Sequence, residues 1–162
     1  MTEPMISSVC IKTNAELFSS ALELYANDGD TILDMTYGNG VFWKLVRKEK
    51  YDCIFNDMYN PKASLRSDFR TLTEIGNESI DIAVLDPPYL RTSNRAGIMA
   101  NECHNQTINL RTHGDVLNLY LGGIASAKRV LKPEGLLMIK CQDETEGSIQ
   151  KWTHIEYCLL LS

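Results

Sequence analysis

Short apolar runs that end in an aspartate recur along this chain, and that pattern restricts its fold more than any other feature. Thr31-Ile32-Leu33 runs into Asp34, Cys53-Ile54-Phe55 ends near Asp57, and Ile80 to Leu85 runs into Asp86; a weaker run covers Ala63 to Asp68. Around these runs the apolar spacing becomes helical. Thr13-Asn14-Ala15-Glu16 reads as a capping box, followed by Leu17, Phe18, Ala21, Leu22 and Tyr25 on one face. Val41 to Lys48 also reads as helix. Asp115 is placed to cap another, with Leu117, Leu121, Ile124 and Leu131 on its apolar face. Gly122 and Gly123 interrupt that helix at about 1 kcal/mol each relative to alanine. Lys132-Pro133-Glu134-Gly135 is a turn before a last clear strand, Leu136 to Lys140. Strands alternating with helices predict an α/β domain with a mostly parallel sheet and helices on both faces. In such sheets ligands sit beyond the carboxyl ends of the strands. A single acid there is often a turn or cap residue; four at successive strand ends point to a bound ligand.

The 162 residues suit one domain over 1–162, with no separate target-recognition domain visible. Met1 to Cys10 lacks the basic start and apolar run of a secretory signal. No apolar stretch approaches the ~20 residues of a membrane span. The five cysteines, Cys10, Cys53, Cys103, Cys141 and Cys158, are odd in number and show no CxxC spacing. Reduced thiols in a cytoplasmic protein without a metal site are expected. A net charge of −5, from 16 Lys+Arg against 21 Asp+Glu, excludes the footprint of a strong nonspecific DNA binder. Nucleic-acid contact would need a local basic surface or a specificity partner.

Asp34-Met35-Thr36-Tyr37-Gly38-Asn39-Gly40 links a strand to the next element, and its glycines allow close approach to a ligand. A dinucleotide fingerprint would need glycine where Trp43 stands, and a phosphate-binding P-loop would need GK[ST], which is absent. Asp57, 17 residues after Gly40, is placed to accept from both hydroxyls of a ribose. Asp68 can accept from an adenine amino group while the Phe69 ring packs on the base.

Asp86-Pro87-Pro88-Tyr89 carries the chemistry. The amino group of a nucleobase is a poor nucleophile because its lone pair is delocalised into the ring. Acceptors aimed at its hydrogens, the Asp86 carboxylate and the Pro87 carbonyl, draw the nitrogen toward tetrahedral geometry. Two prolines stiffen the turn, and Tyr89 offers a face for a flipped base.

On these residues the sequence resembles the amino-methyltransferases of DNA, which carry a D/N/S-PP-Y/F/W motif on a Rossmann-like methyltransferase fold. The resemblance spans roughly Lys12 to Gln142, cofactor motif before catalytic motif. It implies S-adenosyl-L-methionine as cofactor, with Asp34, Thr36, Tyr37, Gly38 and Gly40 around it. It further implies Asp57 at the ribose, Asp68 and Phe69 on the adenine side, and Asp86, Pro87, Pro88 and Tyr89 in catalysis. Thr13 falls where the family lines the methionine end, though helix capping explains it equally well. The family often has phenylalanine where Thr36 stands. Only 21 residues, Gln142 to Ser162, follow the last clear strand, so a fold shortened at its C-terminus is expected, with one further helix or strand over Trp152 to Ser162 but not a helix plus a hairpin.

Leu90 to Gly114 carries Arg91, Arg95 and Arg111 against one acid, Glu102, and is expected to hold nucleic acid. Adenine in DNA is the leading target, as in a restriction-modification system. Cytosine in DNA, a base amino group in RNA, and a non-catalytic relative that binds only cofactor or a partner subunit stay open, as does a homo-oligomer.

Overall fold

The computed structural model describes residues 11–88 and 110–161. The first helix, α1, spans Asn14–Tyr25. The predicted capping box starts it: the Glu16 amide donates to the Thr13 hydroxyl, and the Thr13 amide donates to the Glu16 carboxylate. Its buried face is Ala15, Phe18 and Leu22; Leu17 and Tyr25, expected on that face, are exposed.

Four strands follow: β1 (Thr31–Asp34), β2 (Asp52–Phe55), β3 (Ile80–Leu85) and β4 (Leu131–Ile139). They form one parallel sheet in the order β2-β1-β3-β4. After β1 the chain turns to β2 on one side and later returns to β3 on the other. The β1/β3 junction is therefore the switch point of the sheet. Strand side chains alternate between two cores. Leu33, Ala83 and Leu85 join a cluster under α2 (His113–Val130), while Ile32, Ile82 and Val84 meet Phe18, Leu22 and Trp43 under α1. Both faces are covered, as a parallel sheet requires.

Several local expectations are corrected. Val41 to Lys48 is not a helix: only two single 3-10 turns form, Phe42–Lys44 and Lys48–Lys50. The aromatic neighbours Phe42 and Trp43 both pack against Phe18, and the Trp43 indole also reaches back to Asp34. The run over Ala63 to Asp68 makes one isolated parallel bridge, Asn56 to Leu65, and not a strand. The cap of α2 is Thr112, with Asp115 closing the box from the third helical position. The buried stripe of α2 is Val116, Leu119, Tyr120, Gly123, Ile124, Ala127 and Val130. The helix continues through Gly122 and Gly123. A Cβ on Gly123 would lie 3.0 Å from both Leu85 methyls and 3.1 Å from the Phe69 ring, so this glycine lets α2 press onto the end of β3.

The Lys132–Gly135 turn sits inside β4 as a register shift against β3, with Glu134 at φ 65°. After β4 comes an unexpected hairpin, β5 (Glu144–Glu146) and β6 (Ile149–Lys151), separate from the main sheet, and then α3 (Thr153–Leu161). Buried His113 fastens this segment. Its ring nitrogens lie 2.8 Å from Glu144 Oε1 and 3.1 Å from Glu156 Oε1, and its amide donates to Glu146. No helix among the described residues is long and apolar enough to cross a membrane.

Candidate functional site

The strand ends at the switch point bring Asp34, Asp57 and Asp86 together. Asp34 closes β1 and is 3% exposed. Its Oδ1 accepts from the Thr36 amide at 3.0 Å and its Oδ2 from the Trp43 indole N–H at 2.7 Å. Burial pushes its carboxyl up to about 7; the bonds from Trp43 and Thr36 oppose the rise, and the charges of Asp86 and Asp57 add to it. Asp34 thus shapes the glycine loop from behind. Trp43, which breaks the dinucleotide fingerprint, is the donor that makes this buried acid tolerable.

The loop itself is asymmetric. Gly38 is exposed, adopts φ 51°, and a Cβ there would meet nothing but the Thr36 carbonyl at 3.8 Å. Gly40 is buried at φ 65°, and a Cβ there would strike the Tyr37 hydroxyl at 2.6 Å. The open side of the loop is therefore at Gly38. Gly40 instead makes room for Tyr37, whose ring tilts against Phe55 at 4.6 Å.

Asp57 follows β2 and faces the same opening. Its Oδ2 accepts from the Gly38 amide at 2.9 Å, and its Oδ1 accepts from the Tyr59 and Asn60 amides at 2.8 Å each. The Asn60 side chain donates to the Gly38 carbonyl. With one donor on Oδ2, the carboxylate keeps acceptor capacity there. Beneath it, buried Asn56 donates to the Met35 and Ser67 carbonyls and accepts from the Ser67 amide, joining the ends of β1 and β2 to the segment around Ser67.

Asp86 ends β3. Its amide donates to the Thr36 hydroxyl at 2.8 Å, which ties the turn after β3 to the glycine loop. That hydroxyl gives a physical reason for threonine at position 36. Across the sheet, Lys140 Nζ lies 3.2 Å from both Asp86 oxygens. Burial raises the Asp86 carboxyl above its ordinary value, and Lys140 opposes it. Pro87 is buried and Pro88 half-buried, as a stiffened turn requires.

Asp68 and Phe69 are placed differently. Asp68 accepts from the Arg70 amide and from its guanidinium (Nε to Oδ1, 2.9 Å), which holds its carboxyl below the usual range. Phe69 packs into the core under α2. Thr13 is an exposed cap at the start of α1. Arg111 is exposed just before α2, its amide donating to Asp115. Tyr89, Arg91 and Arg95 lie outside the described residues. Sequence reasoning missed Lys140, although it ends the strand Leu136 to Lys140 and the rule that singled out the acids applies to it equally.

The donor set fits S-adenosyl-L-methionine better than a dinucleotide. A pyrophosphate at this loop would face the carboxylates of Asp57 and Asp86, and it would lack the helix N-terminus that normally receives it, since only single 3-10 turns follow Gly40. A cofactor with a cationic sulfonium, an ammonium and a ribose diol suits those two acids. Asp57 would hold the diol, with the exposed backbone at Gly38 beside it.

No protein-family model matches the sequence, and no curated protein matches it either. Solved structures do. A protein from Clostridium thermocellum, provisionally named an rRNA methylase, superposes with a TM-score of 0.54 at 14% identity, covering 94% of this chain and 82% of the other. An rRNA methylase from Streptococcus thermophilus superposes with a TM-score of 0.53 at 17% identity, covering 95% and 84%. The chain has the Rossmann-like methyltransferase fold.

Proposed function

We propose that the chain transfers a methyl group from S-adenosyl-L-methionine to the exocyclic amino group of a flipped base, in RNA before DNA. The observation that carries this is the bond between the Asp86 amide and the Thr36 hydroxyl, which joins the cofactor loop and the base-side acceptor into one unit at the switch point. The cofactor supplies an electrophilic methyl on sulfonium. Asp57 and the Gly38 backbone hold its ribose, and Asp34 keeps the loop in shape through Trp43 and Thr36. The Asp86 carboxylate and the Pro87 carbonyl accept from the target amino group and orient its lone pair. The proton released on methylation passes to solvent through that carboxylate. Tyr89 is the stacking platform in this reading, with Arg91, Arg95 and Arg111 on the phosphates.

RNA is preferred because the two structural neighbours described above are named for ribosomal RNA. Adenine in DNA is the second reading, favoured by the tetrad Asp86 to Tyr89. Transfer of tritiated methyl to ribosomal RNA, duplex DNA and protein separates them. Counts in RNA support the first reading and counts in DNA the second; counts in protein alone would sink both.

Two results are expected from the binding half of the site. S-adenosylhomocysteine at 100 times its dissociation constant should stabilise the fold by about 2.7 kcal/mol. Asp57→Ala should lose most of that thermal shift, and a nicotinamide dinucleotide should give none. A shift with the dinucleotide alone would reverse the cofactor assignment. Thr36→Val should leave S-adenosylhomocysteine binding intact but slow transfer by about tenfold, near the 1.4 kcal/mol worth of one hydrogen bond. Thr36→Ser should restore it. Equal rates in the valine and serine variants would show that the Thr36–Asp86 bond does not serve the reaction.

A further inference from the structure

Lys140 follows β4 directly, next to the turn that carries Asp86, and its backbone is fastened on both sides. Its amide donates to the Leu85 carbonyl at 3.0 Å, and the Tyr120 hydroxyl donates to its carbonyl at 2.8 Å. Tyr120 is itself fully buried against Tyr157 of α3. The lysine stem therefore starts from a fixed point. Its ammonium bridges Oδ1 and Oδ2 of Asp86 equally, at 3.2 Å each, and lies 5.8 Å from the centre of the Phe42 ring.

We propose that Lys140 is a positioning residue for Asp86: its ammonium keeps both carboxylate oxygens presented as acceptors until the amino group of a base takes them over. The proposal rests on the reading of Asp86 as the acceptor for that amino group. An ammonium and a nucleobase amino group are both N–H donors, so the pair as it stands resembles the contact the reaction needs. The symmetric bridge favours neither oxygen, which leaves the carboxylate free to exchange one donor for another. The Phe42 ring gives the displaced ammonium a second favourable neighbour within cation–π range.

The surroundings of Asp86 explain why a cation is needed. The groups facing Asp86 among the described residues are Lys140, just after β4, and the carboxylate of Asp34 from β1, with Asp57 acting on Asp34 in turn. Burial favours a protonated Asp86. A protonated carboxyl would turn an O–H toward an amino group that is itself a donor. Among the described residues Lys140 acts in the opposite direction, and its side chain is 30% exposed, so its charge is only partly screened.

The test uses the full chain labelled with carboxyl-13C aspartate, with the Asp86 resonance assigned by its absence in Asp86→Asn. Lys140→Met should make Asp86 titrate about one pH unit or more higher than in the unsubstituted protein. Lys140→Arg, which keeps the charge, should leave the titration close to its starting point. Lys140→Gln is a second neutral variant should methionine disturb folding. Methyl transfer by Lys140→Met to ribosomal RNA should fall about tenfold at pH 7 and recover by pH 9, with Lys140→Arg near full activity throughout. An unchanged Asp86 titration in both neutral variants overturns the proposal, and so does a loss of activity that is the same at every pH. A shifted titration with no transfer to any nucleic acid by the unsubstituted protein is distinguishable: Lys140 then still governs Asp86, and it is the amino-methylation reading that fails.

Discussion

Asp86→Ala is expected to reduce methyl transfer by a hundredfold or more while S-adenosylhomocysteine still binds. The magnitude follows from the role. A polar group aimed at the reacting atom in a site shielded from water typically contributes about 10²–10³ in rate. The direction follows from placement. Asp86 sits beyond the end of β3, and its carboxylate contacts Lys140 and not the glycine loop. Its link to the cofactor side runs through its backbone amide and Thr36, which alanine keeps. Binding and chemistry should therefore separate cleanly in this variant. Asp86→Asn should fall between, since one carbonyl oxygen still accepts from the amino group but the charge that balances Lys140 is gone. Alanine should also ease the burial of Asp34, because the Asp86 charge is one of the causes that raises the Asp34 carboxyl. Single-turnover transfer with tritiated cofactor, run beside a thermal-shift titration of S-adenosylhomocysteine, gives both readings. Loss of cofactor binding in step with loss of transfer would mean that Asp86 holds the loop together and does not act on the base.

How much of this site was legible in the sequence depends on the range of the forces involved. The strands β1 and β3 were readable because a doubly covered strand needs a largely apolar run, and Ile32-Leu33 and Ile82 to Leu85 supply its core. Their acids were readable because the end of such a run is also the edge of the sheet. The cap of α1 is a four-residue pattern, and it formed as read. Failures came where long-range packing overrides local spacing. Val41 to Lys48 has helical periodicity, yet Phe42 and Trp43 are both claimed by Phe18, and Trp43 must also reach Asp34 nine positions back. Phe69 was a candidate base platform, but the close approach of α2 permitted by Gly123 encloses it in the core. Asp68 looked equivalent to Asp57 in sequence, and the arginine two positions on takes its charge. The pairing of Asp86 with Lys140 spans 54 positions and depends on β3 and β4 lying side by side, which no local pattern encodes.

The second large effect concerns pH and the buried acid behind the loop. Asp34 has a carboxyl raised to about 7 in the folded protein, against about 3.9 in an unfolded chain. Between those two values the folded state holds a proton that the unfolded state has released. Stability from this group is fully present below pH ~4 and is lost as pH rises through about 7. Asp86, raised for the same main reason, works in the same direction. Asp68, Asp81, Asp115 and Asp143 are held below their ordinary values by hydrogen bonds, so their contribution is lost only as pH falls below ~4. The two windows do not overlap, so the fall in stability as pH rises through about 7 carries the Asp34 contribution. Asp34→Asn, which carries no titrating proton, should flatten that fall by roughly 2–4 kcal/mol, from a displacement of about three pH units at 1.36 kcal/mol each. Trp43→Phe keeps the ring but removes the indole N–H that donates to Asp34 at 2.7 Å, so it should destabilise by about 1–3 kcal/mol. Because that donor favours the ionised carboxylate, the loss should be greater at pH 8 than at pH 5. In the Asp34→Asn background the same change should lose its pH dependence, which makes the double-mutant cycle the decisive measurement. Chemical denaturation of the four proteins at pH 5 and pH 8 supplies the numbers. An identical pH slope with Asp and Asn at position 34 would mean that the acid behind the glycine loop is ionised throughout this range.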